Sequence, residues 1–461
     1  MTTFRPPVLA VQKWPSNAEL VADLVQLKLL DLSVPTLDPT YGYGNWWTKV
    51  RPTHLTTHFR PDDGSDFRNL PYPSGSWRQI AFDPPYCVDT ETEILTSDGW
   101  RRFDQVAVGD LAYTLDHLRG TASWQPVTNV IVLPPERRQM LRLEGRDHSS
   151  LTTLHHRWPV HRRSRPRPGP NQPRFTTSAG LASDDTVPIA ARCSQPVEAV
   201  HSDAFVELVA WFWTEGHLER GRNRGPLTYG NIVQSRIVNA PFCDRIRLAF
   251  TKEYGPDHGP FPRVGRTTDG VPRWREVVDG RKAVFWFSAD LGARLAAVAP
   301  GRVPTAAFLR SLTAEQLDLF IDISVLADGT QPAGRGAVLT QKNRLAAEAF
   351  QYACTMAGIS TGLRQRKPSG SASYGMWCVT LRRQTAFKPS RNHPQIVEHD
   401  GAVWCVETPN STWLARRRGT VYFTGNSSMG GQDTSDVGDY NTRYGRHTIG
   451  GPADTQLLIN D

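Results

Sequence analysis

Phe82-Asp83-Pro84-Pro85-Tyr86-Cys87 and Thr424-Gly425-Asn426-Ser427 bound a stretch of 340 residues, 87–426, in this chain of 461 residues. A thiol begins the stretch, and an asparagine followed by a hydroxyl residue ends it. A thiol can attack the carbonyl before it, a hydroxyl can accept the acyl group, and an asparagine side chain can cyclise on its own carbonyl. These groups predict a segment that excises itself and joins its flanks.

Composition indicates an ordinary soluble protein of about three domains, since 39% of residues are hydrophobic and 21% are charged. No run of 18 apolar residues exists, so no membrane span or membrane partner is expected. The cysteines are widely scattered without CxxC pairs, which argues against a zinc site and a disulfide scaffold and favours a reducing cytoplasm. They are Cys87, Cys193, Cys243, Cys354, Cys378 and Cys405.

The positive charge is concentrated in the middle of the chain. Residues 87–426 carry a net charge of +11, whereas residues 1–86 carry 0 and residues 427–461 carry −3. A basic insert suits a nucleic-acid-binding element. Arginine-rich loops that are merely solvated explain the same charge equally well.

The outer segments contain two strand patterns that end in turn residues. Residues 34–44 run from an apolar strand through Asp38 into a turn with Gly42 and Gly44, and residues 79–86 form a strand ending in DPPY. In this order and spacing they resemble the S-adenosylmethionine-dependent amino-methyltransferases, especially the DNA N6-adenine and N4-cytosine enzymes. The resemblance implies that Asp38, Gly42 and Gly44 line an S-adenosylmethionine site.

The same resemblance implies that Asp83, Pro84, Pro85 and Tyr86 form the catalytic loop, with Tyr86 stacking on a flipped base. A nucleotide-binding-like fold acting on another substrate is the alternative. The flanks 1–86 and 427–461 total 121 residues, too few for the whole sheet of such an enzyme. Residues 427–461 are rich in Gly and Asp and show no clear final strand.

Three patterns within the insert share an order. Cys87 begins a strand that leads to an Asp98-Gly99 hairpin signal, a Thr153-x-x-His156 pattern follows, and residues 403–426 end at Asn426. Together they resemble the Hint splicing blocks of inteins. The resemblance implies a β-rich horseshoe built from residues 87–195 and 389–426, splicing without a cofactor.

The first splicing step is expected at the Tyr86–Cys87 bond. Cys87 would convert that bond into a thioester, since a few per cent of an ordinary thiol is thiolate near neutral pH. The amide nitrogen is a poor leaving group, and His156 would protonate it while Thr153 orients it or contacts the amide. His155 is a competing assignment for His156.

The later steps fall to Ser427, which would accept the acyl group, and to Asn426, which would cyclise. Gly425 stands where many inteins have histidine, so the proton for cyclisation must come from elsewhere or the last step is slower. Cys405 stands where Asp is common in the family. It either assists acyl transfer or is simply a small buried hydrophobic residue.

The insert contains two further apolar runs, each ending in an acid and a glycine. They are residues 206–216, ending in Glu215, and residues 319–329, ending in Asp328, and the glycine can end a helix. A similar pattern follows each run, beginning at Gln234 and at Gln341. The runs resemble the two LAGLIDADG motifs of DOD-type homing endonucleases.

This resemblance implies an α+β domain with pseudo-two-fold symmetry over residues 200–388, acting as a monomer on double-stranded DNA. Glu215 and Asp328 would bind Mg²⁺ and serve as the catalytic acids. Ile323 replaces a small residue expected where the helices cross, and Trp211 and Trp213 are bulky. A DNA-binding insert that no longer cleaves is therefore one alternative, and a methyltransferase with an inert insertion is another.

The expected fold class is multi-domain: a β-rich Hint horseshoe and an α+β LAGLIDADG domain, flanked by partial α/β Rossmann-like methyltransferase segments. The expected boundaries are 1–86, 87–195, 200–388, 389–426 and 427–461.

Overall fold

The structure is a computed structural model of the 461-residue chain. It describes residues 17–41, 44–58, 70–82, 87–163, 171–196, 198–220, 227–260, 269–332, 336–367, 375–426, 448–450 and 456–459. Within these ranges the chain is multi-domain and β-rich, with seven α-helices and several sheets. None of the described helices combines the length and apolarity needed to cross a bilayer.

The outer segments form one sheet together. Its strands are β1 (Thr36–Asp38), β2 (Leu55–Thr57), β3 (Gln79–Phe82), β28 (Thr448–Gly450) and β29 (Gln456–Ile459). The order is β2-β1-β3-β29-β28, with β1 parallel to both β2 and β3. Helix α1 (Asn17–Gln26) supplies Leu20, Val21 and Leu24 to the core beneath this sheet.

The last residues of the chain return to the first sheet. β29 pairs antiparallel with β3, and β28 pairs with β29 as a hairpin. The expectation of no clear final strand after residue 427 is therefore wrong. A pairing between strands almost 380 positions apart has no local sequence signal, which explains the error.

The predicted splicing region contains a six-stranded sheet with the order β24-β10-β11-β4-β25-β9. Its strands are β4 (Val88–Asp89), β9 (Asn129–Leu133), β10 (Arg138–Glu144), β11 (Ser149–Thr153), β24 (Gln395–His399) and β25 (Val403–Glu407). Two strand pairs flank it, β12 (Arg157–Arg163) with β13 (Asn171–Thr177), and β14 (Val187–Pro188) with β23 (Ala386–Phe387).

The region between these strands supplies most of the helices. They are α2 (Asp203–Glu215), α3 (Ala240–Tyr254), α4 (Ala289–Val298), α5 (Ala306–Arg310), α6 (Ala314–Asp328) and α7 (Arg344–Met356). A four-stranded sheet of order β15-β16-β18-β17 accompanies the first half. Its strands are β15 (Gly216–Arg220), β16 (Leu227–Ser235), β17 (Trp274–Asp279) and β18 (Lys282–Phe287). Short 3-10 turns lie at Asn45–Trp47, Phe103–Gln105, Pro300–Arg302 and Pro389–Arg391.

The second half of this helical region shares one large sheet with strands of the predicted splicing region. The members are β5 (Glu93–Thr96), β6 (Gly99–Arg101), β7 (Leu111–Asp116), β8 (Thr121–Pro126), β19 (Gly329–Thr330), β20 (Val338–Gln341), β21 (Ser360–Arg366), β22 (Met376–Arg382), β26 (Thr412–Arg417) and β27 (Thr420–Gly425). The order is β19-β20-β22-β21-β27-β26-β5-β7-β8, with β6 paired to β5. The join is the pairing of β21 with β27 at Gly362 and Thr420.

A buried arginine crosses the same join. Arg416 is 2% exposed and donates to Glu93 at 2.6 Å, to Glu348 of α7 at 2.8 Å and to Gln351 of α7 at 3.1 Å. Removing one partner of such a buried ion pair leaves an uncompensated charge, which is strongly destabilising. The largest apolar core also spans the join. The helical region and the splicing strands therefore form one packed structure.

Candidate functional site

Cys87, at the first predicted splice junction, is hydrogen-bonded to Thr153. The Cys87 amide nitrogen donates to the Thr153 hydroxyl at 3.2 Å, and the Thr153 amide donates to the Cys87 carbonyl at 3.0 Å. The Cys87 nitrogen belongs to the Tyr86–Cys87 peptide bond, so Thr153 contacts the bond that splicing would break. Asp83, Pro84, Pro85 and Tyr86 lie outside the described residues.

Cys405 lies directly across from Cys87. Because Trp404 pairs with Val88 in the antiparallel β25–β4 ladder, the next pair outward is Cys405 with Cys87. Both cysteines are fully buried in an apolar cluster that also contains Met140. Side chains of directly opposed residues lie on the same face of a sheet, so the structure brings the two thiols together.

The environment of Cys87 disfavours its thiolate. Burial raises the pKa of the Cys87 thiol well above its ordinary value, the neighbouring Cys405 raises it further, and Arg138 acts in the opposite direction. The folded chain therefore favours the protonated Cys87 thiol more than an ordinary thiol does.

His156 forms hydrogen bonds to residues beside both predicted junctions. It is fully buried, its amide donates to the Thr153 carbonyl at 3.1 Å, and its Nε2 is hydrogen-bonded to the Thr424 hydroxyl. Thr424 lies two residues before Asn426 on the closing strand. His156 therefore lies between the predicted junctions, whereas its competitor His155 is only partly buried.

Asn426 is 3% exposed, and hydrogen bonds fix both its backbone and its side chain. Its amide nitrogen donates to the Ser411 carbonyl at 3.1 Å, and its side-chain Nδ2 donates to the Thr408 carbonyl at 3.2 Å. The side-chain amide, the group that cyclisation needs, is thus fixed by the turn before β26. Ser427 lies outside the described residues.

Gly425 has no room for a side chain. A Cβ atom added there would lie 2.7 Å from the Arg157 carbonyl oxygen and 2.8 Å from the Arg157 Cβ. Both atoms belong to or adjoin the backbone of β12 and cannot move aside alone. Close backbone packing, rather than a special φ angle, therefore explains the glycine at this position.

We expect Gly425→Ala to slow cleavage after Asn426, because β27 must move away from Arg157 and carry Asn426 with it. Overpacking of this kind costs about 1–3 kcal/mol. Mass analysis of the full chain over time would follow release of the product that ends at Asn426. Gly336→Ala is the control, since a Cβ there also meets a backbone carbonyl, that of Leu381 on β22, and Gly336 likewise needs no left-handed φ angle. Equal release rates in the two variants would contradict the prediction.

The second site lies at the ends of α2 and α6. Ser202 and Thr313 cap the two helices by accepting amide hydrogen bonds, and the helices end at Glu215 and Asp328 as the sequence predicts. The following glycines begin β15 and β19. Helices α2 and α6 pack against each other, so the two carboxylates lie at neighbouring ends, each where a helix turns into a strand.

Each acid has a glutamine partner in its own half of the region. Gln234 hydrogen-bonds Glu215, and Gln341 donates to Asp328. Arg302 donates to the Thr214 carbonyl at 3.3 Å and to the Gly216 carbonyl at 3.0 Å, on either side of Glu215. The sequence analysis assigned none of these three residues to the site. The glutamine that recurs after each acid was the usable signal.

The electrostatics of the pair suit a divalent cation. Burial raises the pKa of both carboxyls, and the charge of Asp328 raises that of Glu215 further, while Arg302 opposes both shifts. Among the described residues no three His, Cys, Asp or Glu side chains cluster as a metal site. Mg²⁺ needs only one or two carboxylates together with water and substrate phosphate, so the two acids fit it.

The bulky Trp213 is accommodated at the helix crossing. It is buried, stacks on Phe320 and Phe350, and donates from Nε1 to the Ser324 hydroxyl at 2.9 Å. Ser324, next to Ile323, provides the small side chain at this contact. Trp211 packs instead on Phe242 of α3.

The predicted cofactor residues lie at the carboxyl end of β1. Asp38 is buried, and its carboxylate accepts from Trp47 Nε1 at 2.7 Å and from the Thr40 amide at 3.1 Å. Gly44 adopts φ +73°, as a glycine turn requires, and Gly42 lies outside the described residues. Because both Asp38 oxygens bind groups of the protein, Asp38 orders the turn, and no S-adenosylmethionine contact is assigned to it.

Asp38 makes the stability of this sheet depend on pH. Burial raises the pKa of Asp38 from 3.8 to about 6, so the folded state keeps a proton that the unfolded chain releases. Stability should therefore fall as pH rises from about 4 to about 6, by about 3 kcal/mol in total. Hydrogen exchange of the β1 amides across this range would measure the fall.

Asp38→Asn should remove that slope. Asp31→Asn is the matched control, because hydrogen bonds from Ser33 lower the pKa of the exposed Asp31 and give a weak slope of opposite sign. A slope that survives in Asp38→Asn would contradict the assignment.

Comparison with known proteins gives one weak result. The chain is similar in structure to mesophilic variants of the homing endonuclease I-DmoI, with 11% identity and a TM-score of 0.29 over 39% of this chain and 89% of that one. I-DmoI in complex with DNA and Ca gives 13% identity and a TM-score of 0.28, over 39% and 83% of the two chains. No protein-family model and no curated protein matches. Likenesses this weak carry no argument, so function is argued from the two sites.

Proposed function

We propose that the chain is a precursor in which residues 87–426 excise themselves and join residues 1–86 to Ser427. The observation that carries this proposal is the line of hydrogen bonds from the Cys87 amide through Thr153 and His156 to Thr424. Splicing needs both junctions in one place, and these contacts link residues from opposite ends of the predicted insert. The pairing of β3 with β29 adds support, because it brings the two flanks into one sheet.

The chemistry follows from this arrangement. The Cys87 sulfur bonds to the Tyr86 carbonyl carbon, the carbon–nitrogen bond breaks, and the released nitrogen gains a proton. Thr153 contacts that nitrogen, and the adjacent His156 provides the proton. The Ser427 hydroxyl then takes the acyl group from sulfur, and the Asn426 side-chain nitrogen attacks its own carbonyl to release the insert. The ester rearranges to a peptide bond.

We propose a second activity, metal-dependent cleavage of double-stranded DNA, for the region around Glu215 and Asp328. The specific observation is the pair of half-buried carboxylates at neighbouring helix ends, each with a glutamine partner. Mg²⁺, when bound, would supply Lewis-acid stabilisation of a phosphodiester. The chain's own contribution is to hold two acids together, to place Arg302 beside them and to begin one strand of a different sheet, β15 or β19, directly after each acid.

The host formed by the flanks is proposed to be a methyltransferase acting on an amino group. The proposal rests on the parallel arrangement of β1, β2 and β3, the ordered turn after Asp38 and the position of the DPPY stretch directly after β3 in the sequence. Methyl transfer by an unspliced Cys87→Ala chain would favour the rival view, a methyltransferase with an inert insertion.

Intact-mass analysis of the expressed chain tests splicing. A free 340-residue product and a joined 121-residue product would establish it and define both junctions. A chain that remains at 461 residues would reject splicing under those conditions. Cleavage of a DNA duplex encoding the joined sequence around Tyr86 and Ser427, with and without Mg²⁺, tests the nuclease. Binding without cleavage would favour the inactive DNA-binding insert.

A further inference from the structure

The turn between β10 and β11 in the splicing region lies against the sheet of the second helical half. Arg364 of β21 donates to the Arg146 carbonyl, and Arg382 of β22 donates to the Asp147 carbonyl at 2.7 Å. Arg382 also forms an ion pair with the Asp147 carboxylate at 3.2 Å. Three arginines from two predicted domains therefore meet at residues 145–147.

The arginines of the sheet lie on its open face. Leu363 of β21 and Val379 of β22 are buried in the core on the helix side. Side chains alternate along a strand, so Arg364 points to the opposite face, where it is exposed. Arg382 lies over Gly362 on this face, because a Cβ at Gly362 would meet its guanidinium at 2.3 Å.

The cluster carries an excess of positive charge. Arg146, Arg364 and Arg382 contribute three charges, and Asp147 offsets one of them. Burial lowers the pKa of Arg382, Asp147 opposes this shift, and the neighbouring Arg364 and Arg146 add to it. Arg364 holds the turn through a main-chain carbonyl, whereas Arg382, whose side chain is 11% exposed, binds both the carbonyl and the carboxylate of Asp147. Each guanidinium has five N–H donors. Donors thus remain for an anionic ligand on the exposed side.

The position of the cluster suits DNA. β21 is three strands from β19, which begins directly after Asp328, so the cluster lies about 14 Å from the acid site along the sheet. That distance is about four base pairs at roughly 3.4 Å each. A duplex placed at the acids and lying along this sheet face would bring its backbone to the cluster.

We propose that Arg146, Arg364 and Arg382 form one binding site for a DNA phosphate, so that the splicing region itself holds part of the DNA. This inference rests on the proposed DNA binding and extends it to a part of the chain outside residues 200–388. It also gives the join between the two regions a role, since the phosphate site is complete only when the β10–β11 turn is docked.

Salt-dependent binding of a 40-base-pair duplex to the full chain would test the site, in a Cys87→Ala background that keeps the chain uncut. Arg146→Gln removes one charge but keeps the carbonyl that Arg364 binds, so the turn should stay docked. We expect about tenfold weaker binding at low salt and a slope of log Kd against log salt that falls by about one. Arg119→Gln, an 80% exposed arginine on another turn of the same region, is the matched control.

The double variant Arg146→Gln/Arg364→Gln separates a shared site from independent contacts. When two arginines bind the same phosphate, replacing both costs less binding free energy than the sum of the two single replacements. Binding by Arg146→Gln that equals Arg119→Gln in affinity and slope would overturn the inference. A chain that binds no duplex would overturn it together with the proposed DNA binding. Binding without cleavage would remove only the nuclease proposal, because this measurement needs no cleavage.

Discussion

The Cys87→Ala chain is expected to remain at its full length of 461 residues, with neither the 340-residue nor the joined product formed. Alanine removes the thiol at the Tyr86–Cys87 bond but keeps the backbone amide that Thr153 contacts. Loss of a covalent nucleophile costs several orders of magnitude in rate, about 10⁶ in the best-studied case. Intact-mass analysis of wild type and variant, expressed side by side, measures the result.

Two cysteine variants make this test specific. Cys378→Ala changes a half-exposed thiol on β22, remote from the junctions, and should splice like wild type. Cys405→Ala separates the two interpretations of that residue. A rate close to that of wild type indicates that Cys405 only packs against Cys87, whereas a large loss indicates that its thiol takes part in acyl transfer. Joined product from Cys87→Ala itself would remove Cys87 from the mechanism.

Glu215→Gln and Asp328→Asn are each expected to lower the rate of DNA cleavage by at least about 100-fold while leaving duplex binding within about twofold. Each change keeps the shape and a hydrogen-bonding oxygen but removes a charge that a cation requires. Even residues that only support a metal ligand cost about 10–100-fold when replaced, so direct ligands should cost more. Cleavage and binding of the same duplex would be measured in Mg²⁺ and in chelator.

Asp322→Asn is the matched control for this pair. Asp322 is exposed on α6, two turns before Asp328, and carries the same charge. Its replacement should leave both cleavage and binding unchanged. Cleavage that persists in Glu215→Gln would place the catalytic acids elsewhere. An equal loss of cleavage in Asp322→Asn would mean that losing any negative charge in this region lowers the rate.

Local patterns predicted the two helix ends that carry Glu215 and Asp328. The helices end at Glu215 and Asp328, where a glycine follows each acid, and that signal is local. The turn at Gly44 and the hairpin of β5 and β6 at Asp98-Gly99 also appear where the sequence predicts them. The extent of the domains was harder to predict, because the pairing of β21 with β27 joins strands about 60 residues apart.

The sequence alone determined which reactive groups this protein carries and in what order, because a thiol, an asparagine or an acid-glycine helix end is a property of the local chain. Only the tertiary structure decided their environment. In the folded chain Cys87 is buried opposite Cys405, which disfavours its thiolate. Arg157 packs against Gly425, and β29 pairs with β3. Burial and long-range pairing depend on every segment packed around a residue, so no local pattern encodes them.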